Sequence, residues 1–193
     1  MGKLKRKLAT TAYKDLLDVP DTMIAEILDC ELVVSPRPSG INTLAASSLT
    51  MEIGSPFHHG KGGGPGGWWI LGEPELEFDS GVDHIVPDLA GWRRERMPKI
   101  PSDHRFKIIP DWVCEIVSPS SRRRNRVKKF NLYARYGVLF YWLIEPESKT
   151  LEAFELVGGR WQLVGAYEVD EKVRVKPFDA IELDLSLLWA PDV

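Results

Sequence analysis

The chain has 193 residues, of which 44% are apolar and 27% are charged, a composition typical of a soluble globular protein. No apolar run approaches the roughly 18 residues of a membrane span, and no apolar stretch of an export signal follows the basic opening MGKLKRKL. We therefore expect a cytoplasmic protein with no membrane partner, in which residues 1–9 are a basic tail and 10–193 a single domain. The net charge of −3 gives no overall attraction to nucleic acid, so such binding would need a local basic patch. Its two cysteines, Cys30 and Cys114, form no C-x-x-C pair and are expected to be core thiols.

Helices are predicted in the first third of the chain. Thr10 or Thr11 can cap a helix over AYKDLLDV. After Pro20, the segment DTMIAEIL predicts a second short helix, which carries Glu26 near its end. The strand ELVVS follows, and beyond the break PRPSG the small and apolar residues of INTLAASSLTMEI predict a packed helix.

The rest of the chain is rich in predicted strands. Residues 60–67, GKGGGPGG, predict an irregular surface loop rather than a phosphate-binding loop, because the pattern G-x-x-x-x-G-K-[ST] is absent. His58 and His59 have no Cys or His cluster beside them, so no zinc site is predicted. One helix, at about 122–136, interrupts strands predicted at WWILGEPELEF, HIVPDLAGW, DWVCEIV, LFYWLIE, TLEAFELV and RWQLVGAYEV.

One predicted strand carries a charge at its centre. In PDWVCEIVSPSS, residues 110–121, Glu115 stands among apolar and β-branched residues. Alternation along the strand places Glu115 on the same face as Val113 and Val117. An unpaired carboxylate would be costly there. The charge must therefore be held by a basic side chain, by a metal ion or by a proton on the acid itself.

A second acid, Asp88, directly follows Pro87 in another predicted apolar strand. If the two strands are neighbours, Asp88 and Glu115 could share a Mg²⁺ or Mn²⁺ ion, because these hard cations favour carboxylates and water. Alternatively, each acid caps a turn or pairs with an arginine. Spacing alone does not decide between the two interpretations.

The helix after the Glu115 strand is strongly basic. Six of the eight residues from 122 to 129 are Arg or Lys, which indicates either a solvated helix face or, beside two acids, a place for phosphate. A helical wheel predicts a buried stripe, with Lys129 and Tyr133 one turn apart on its flank and Lys128 toward solvent. The stripe consists of Val127, Phe130, Ala134 and Gly137. From this flank, Lys129 could reach Glu115.

These motifs together resemble a known family. VPDLAGW, PDWVCEIVSPSS, RVKKFNLYARYGV and YWLIEP occur in an order that is similar to the Uma2 family, a branch of the PD-(D/E)xK restriction-endonuclease-like superfamily. AEILDCELVVSPRP and PFDAIELDLSLLW extend the likeness to about residues 10–190. The resemblance implies an α/β fold with a mixed central β-sheet flanked by helices. It also implies cleavage of phosphodiester bonds with a divalent metal, Mg²⁺ or Mn²⁺.

The resemblance also assigns roles to residues. Asp88 matches the PD acid, Glu115 the (D/E) acid and Glu26 the acid of the first motif. Val117 stands where the plain motif has its lysine, and in Uma2-like sequences the basic residue has moved to the next helix, four residues before a tyrosine, which is Lys129. The chain departs from the family pattern at three positions: Asn125 where an aspartate is frequent, Asn42 where a histidine is usual, and Cys30 where a glycine is usual.

The expected function is that of a metal-dependent endonuclease acting on nucleic acid, with DNA favoured over RNA. Asp88 and Glu115 would hold the metal, and Lys129 would stabilise charge on the phosphorane or orient the attacking water. Backbone phosphates would be contacted by Arg122, Arg123, Arg124 and Arg126. The alternative is a catalytically inactive nucleic-acid-binding or interaction protein that retains the fold, in which Lys129 and Glu115 form an ion pair without metal. A small-molecule hydrolase finds no support, because the G-x-S-x-G motif is absent.

A two-fold homodimer is expected through the C-terminal half. The strands YWLIEP and TLEAFELV, together with the aromatic residues Trp161, Phe178 and Trp189, offer more apolar surface than one sheet face needs.

Overall fold

The computed structural model describes residues 12–79, 82–118 and 124–191, with the side chains of 124–126 left out. The predicted tail 1–9, the caps Thr10 and Thr11, and the phosphate contacts Arg122 and Arg123 lie outside the described residues. The side chains of Arg124 and Arg126 do so as well. Within the described part, the chain forms two mixed β-sheets and a small two-stranded pair, with helices packed on them.

The first sheet has five strands in the order β2-β1-β5-β4-β7. Its neighbours are antiparallel except for β4 and β7, which are parallel. The strands are β1 (Met23–Leu28), β2 (Glu31–Pro36), β4 (Glu75–Phe78), β5 (Asp83–Ile85) and β7 (Arg105–Phe106).

The second sheet has six strands in the order β11-β10-β9-β8-β6-β3. Its pairs are antiparallel except for the parallel pair of β8 and β9. The strands are β3 (Trp68–Gly72), β6 (Leu89–Arg93), β8 (Trp112–Ile116), β9 (Phe140–Glu145), β10 (Thr150–Val157) and β11 (Arg160–Glu168). A separate pair joins β12 (Lys172–Val173) to β13 (Leu183–Asp184).

Helices cover both faces of the second sheet. After α1 (12–17), α2 (Gly40–Ile53) runs into a π-helical turn (Gly54–His58), and a second π-helical turn (Arg124–Lys129) leads into α3 (Phe130–Tyr136). A 3₁₀ turn (Leu185–Leu188) follows β13. No helix in the described ranges has both the length and the apolar character needed to cross a bilayer.

The central strand β8 divides the core as its alternation predicts. Trp112, Cys114 and Ile116 are buried in a cluster that includes residues of α2. Val113 and Val117 are buried in a second cluster, which includes Leu132 and Tyr133 of α3. The acid at position 115 therefore faces the α3 side of the sheet.

The prediction of a second short helix is wrong, because residues Met23–Leu28 form strand β1. All six residues pair with β2 across a hairpin. Asp29 and Cys30 form the two-residue turn, with φ of 55° and 66°. An Asp-Gly pair at these two positions would have predicted such a turn. Because Cys30 stands where the glycine would be, the sequence did not predict the hairpin. Glu26 therefore projects from a strand rather than from a helix.

Two predicted strands are each divided between the two sheets. Residues 68–78 form β3 and β4, separated at Glu73, whose φ is 46°. Residues 84–92 contribute to β5 and β6, with Val86, Pro87 and Asp88 between them. Asp88 thus lies where the chain passes from one sheet to the other, immediately before β6 and not within a strand.

The predicted buried stripe of the basic helix is also wrong in phase. Val127 is 54% exposed, whereas Lys129, Leu132 and Tyr133 are buried. In the π-helical turn, the wider i→i+5 bonding shifts Val127 and Lys129 relative to a 3.6-residue wheel. In α3, the buried residues are Leu132 and Tyr133 rather than the predicted Phe130 and Ala134. The predicted end at Gly137 is confirmed, with φ of 80° and its N–H bonded to the carbonyl of Ala134.

Candidate active site

Four predicted site residues from four separate segments line one cavity of about 410 Å³. Glu26 comes from β1, Asp88 from the connection before β6, Glu115 from β8, and Lys129 from the end of the π-helical turn. Because β6 pairs with β8, with Leu89 opposite Cys114, the Asp88 and Glu115 segments are neighbours, as predicted. The cavity therefore lies at the junction of the two sheets.

Lys129 is the centre of this group. Its side chain is 3% exposed, and its Nζ lies 2.7 Å from Glu26 Oε1 and 3.0 Å from each carboxylate oxygen of Glu115. Nζ also donates to the backbone carbonyl of Val86 at 3.0 Å. Of the three ways in which the buried charge of Glu115 could be held, the structure contains the basic side chain.

Each carboxylate also accepts a hydrogen bond from another group. The Tyr133 hydroxyl donates to Glu115 Oε1 at 2.6 Å, and the backbone N–H of Val86 donates to Glu26 Oε1 at 2.9 Å. Asp88 Oδ2 accepts from the backbone N–H of Ile116 at 2.6 Å. The orientation of all three acids is fixed by these bonds before any ligand arrives.

The site contains more negative than positive charge. Burial raises the pKa of Asp88 to about 6, although the bond from Ile116 and the charge of Lys129 act in the opposite direction. Burial also raises the pKa of Glu115 to about 7, against the lowering effect of Lys129. For Lys129, burial alone would lower the pKa, but the carboxylates of Glu115 and Glu26 outweigh it and raise the pKa. Three carboxylates thus share one ammonium group, and an added cation would relieve their repulsion.

The donor set fits a hard divalent cation. Among the described residues, no three His, Cys, Asp or Glu side chains form a group that could ligate a metal on their own. Mg²⁺, however, is usually bound by one or two carboxylates, with waters and substrate phosphates as its other ligands. Asp88 and Glu115 supply two such carboxylates in one cavity.

The two adjacent lysines differ sharply in environment. Lys128 is 46% exposed and pairs with Glu31 at 2.7 Å, while Lys129 is buried with the acids. The predicted preference for Lys129 over Lys128 agrees with this placement, although the wheel that suggested it had the wrong phase.

Sequence reasoning missed the contacts that connect these segments. Asn42, at the start of α2, donates from Nδ2 to the carbonyl of Ile116 at 3.2 Å. Buried Asp83 accepts from Arg135 Nη2 at 3.0 Å and from the hydroxyl of Tyr136, and it also accepts from the backbone N–H of Asp29 at 2.5 Å. These contacts tie α2 to β8, and α3 to the hairpin that carries Glu26. No local pattern could have revealed them, because their partners are more than 50 residues apart.

Arg37 is a further residue of the cavity, and the sequence analysis did not identify it as a site residue. Arg37 stands between Pro36 and Pro38 in a segment that the sequence marked only as a break. Arg37 lines the same cavity as the four predicted site residues.

Comparisons with known proteins show the fold and the family of the chain. A crystal structure described as that of "a putative nuclease belonging to DUF820" from Anabaena variabilis superposes with a TM-score of 0.72 at 22% identity, covering 91% of this chain and 95% of that one. That likeness confirms the restriction-endonuclease-like α/β fold. No curated protein matches the chain. The model of the Uma2 family, described as "Putative restriction endonuclease", matches residues 11–187. Since this match spans nearly the whole sequence, the chain belongs to the Uma2 family.

Proposed function

We propose that the protein is a metal-dependent endonuclease that hydrolyses phosphodiester bonds in nucleic acid, with DNA as the preferred substrate. The observation that carries this proposal is the convergence of Glu26, Asp88, Glu115 and Lys129 on one cavity. Membership of the Uma2 family supports nuclease chemistry in general terms.

Asp88 and Glu115 would hold the metal ion, Mg²⁺ or Mn²⁺. When bound, such an ion polarises a phosphoryl oxygen and lowers the pKa of a coordinated water. Burial raises the pKa of both acids, and a divalent cation would favour their ionised form.

The chain's own residues prepare the site for this chemistry. Lys129 favours the ionised form of Glu115, against the effect of burial, and orients it together with Glu26. We expect its charge to stabilise the negative charge that builds on the phosphate. Tyr133 fixes the remaining direction of the Glu115 carboxylate through its 2.6 Å hydrogen bond. Asp88 accepts a hydrogen bond from the backbone of β8, so both proposed metal ligands are positioned by the same strand.

A second candidate function is a nucleic-acid-binding or interaction protein that retains the fold without activity. The observation that favours it is that Lys129 already pairs with Glu26 and Glu115 without any metal. In that case the ion pair would serve stability, and substitution of Glu115 would change the melting temperature but no reaction rate.

A nuclease assay on defined substrates tests the proposal. Single-stranded DNA, duplex DNA and RNA are incubated with the purified protein in Mg²⁺, in Mn²⁺ and in EDTA. We expect cleavage in the presence of metal that is lost in EDTA and in Glu115→Gln. Glu31→Gln is the matched control, because it makes the same chemical change at an exposed position. Equal products from the wild type and Glu115→Gln would mean that the activity does not come from this site.

A further inference from the structure

The donors of Lys129 are fully used within the protein. An ammonium group has three N–H bonds, and four oxygen acceptors surround Nζ, all within 3.0 Å. They are Glu26 Oε1, Glu115 Oε1, Glu115 Oε2 and the carbonyl oxygen of Val86. Lys129 therefore has no hydrogen left for a substrate phosphate, unless it gives up one of these bonds. A direct phosphate contact from a basic side chain must come from another residue.

Arg37 is the other cation in the described lining of the cavity. Pro36 and Pro38 on either side restrict its backbone to an extended conformation, and this holds the residue at the end of β2. Its side chain is 52% exposed, whereas that of Lys129 is 3% exposed, so Arg37 is the more accessible of the two cations. A rigid backbone thus presents an accessible positive charge to incoming molecules.

The contacts of Arg37 leave some of its guanidinium donors available to bind a ligand. Nη2 donates to the carbonyl oxygen of Asp21 at 2.9 Å, and Nη1 lies 3.5 Å from Glu73 Oε2. A guanidinium group has five donors, so others remain free for a ligand beyond these two contacts. Glu73 is itself 45% exposed, and an exposed ion pair of this length contributes little stability. A phosphate could replace Glu73 at low cost.

We propose that Arg37 is the residue that binds the phosphodiester of the substrate at this cavity, in exchange for its contact with Glu73. The assignment rests on the proposed nuclease function and adds its substrate-binding residue. Arginine suits the task because its planar fork matches two phosphate oxygens at once. A positive group is also needed at the entrance, since Glu26, Asp88, Glu115 and Glu147 all line the cavity and would otherwise repel the substrate.

Binding of a labelled oligonucleotide in EDTA separates this role from cleavage. Fluorescence anisotropy with a short fluorescein-labelled DNA is measured for the wild type, Arg37→Ala, Arg37→Lys and Glu73→Gln. We expect Arg37→Ala to weaken binding about tenfold or more, as loss of a charge-assisted hydrogen bond does, and to reduce the salt slope by about one. Arg37→Lys should restore part of the affinity. Glu73→Gln should tighten binding, because the competing carboxylate is gone.

Arg160→Ala is the matched control, since Arg160 is an exposed arginine on the edge strand β11. If Arg37→Ala and Glu73→Gln both bind like this control, or if the wild type does not bind the oligonucleotide, the proposal is overturned. The nuclease function fails separately: a wild type that binds through Arg37 but cleaves nothing in Mg²⁺ or Mn²⁺ would retain the phosphate site and lose only the activity.

Discussion

Lys129 and Lys128 are adjacent in sequence but lie in opposite environments. Lys129 Nζ is 3.0 Å from both carboxylate oxygens of Glu115 in a buried cluster, while Lys128 Nζ is 2.7 Å from Glu31 on the surface. Replacing each lysine by alanine therefore distinguishes the role of Lys129 in the site from the general effect of losing a positive charge.

Lys129→Ala should lower the turnover rate at saturating substrate by about 10² or more, as loss of a charge-stabilising group commonly does. It should also lower the free energy of unfolding by about 3–5 kcal/mol, because two buried carboxylates lose their partner. Lys128→Ala should change stability by at most about 1 kcal/mol and leave turnover intact. Steady-state rates corrected for the folded fraction, together with urea unfolding curves, provide the measurement. Loss of cleavage in Lys128→Ala alone would contradict the assignment.

Addition of Mg²⁺ or Mn²⁺ should raise the melting temperature. A ligand that binds only the folded state stabilises it in proportion to RT ln(1 + [L]/Kd), which is about 2.7 kcal/mol at a hundred times Kd. Glu115→Gln and Asp88→Asn should each abolish the rise, and Glu31→Gln should keep it. Thermal melts over a metal titration give the result. An unchanged rise in both site variants would place the bound metal elsewhere.

The acids of the site should make the metal-free protein less stable as pH rises. The folded-state pKa values of Asp88 and Glu115, about 6 and about 7, lie above their ordinary values of 3.8 and 4.5. Between about pH 4 and 7 the folded state therefore holds more protons than the unfolded chain, so ionisation of these groups costs folding free energy. For Asp88, roughly two pKa units correspond to about 3 kcal/mol.

The comparison that isolates this contribution is between the wild type and Asp88→Asn. Their difference in unfolding free energy should grow in favour of the variant from pH 4.5 to 7.5, measured by denaturant unfolding in EDTA. Saturating Mg²⁺ should reverse the difference in favour of the wild type, because metal ligands must be deprotonated to bind and the variant lacks the stabilisation by metal. A difference that stays constant with pH would mean that the pKa of Asp88 is not raised in the folded protein.

The acids and the lysine of the site could be predicted, because their motifs keep their order along the chain. Their geometry could not. The strand that carries Glu26 was interpreted as a helix, since Cys30 replaced the glycine that marks such a turn. The helix phase around Lys129 was wrong, since a π-helical turn has no signature in a 3.6-residue pattern.

Contacts between residues far apart in the chain could not be predicted from the sequence either. Asp83 reads in the sequence as one more acid, yet it is fully buried and accepts bonds from Tyr136 and Arg135, about 50 residues away. Phe178 and Trp189 were expected to leave apolar surface exposed, but both are buried in the core of the second sheet. Such contacts depend on how the two sheets are arranged, and a short stretch of sequence does not contain that information.

The homodimer stays a prediction, and within the predicted C-terminal half we expect it to form through the edge strand β11. Strand β11 forms one edge of the six-stranded sheet, where its outer backbone groups could pair with a second strand. Leu163 and Val164 on this strand are 56% and 39% exposed, so pairing of two β11 strands around a two-fold axis would bury apolar surface.

Light scattering at micromolar concentration should give the mass of two chains for the wild type and of one chain for Leu163→Lys. Leu17→Lys, at an exposed leucine of α1, should remain dimeric. A monomeric wild type would rule the dimer out at that concentration, and a dimeric Leu163→Lys would place the interface on another surface.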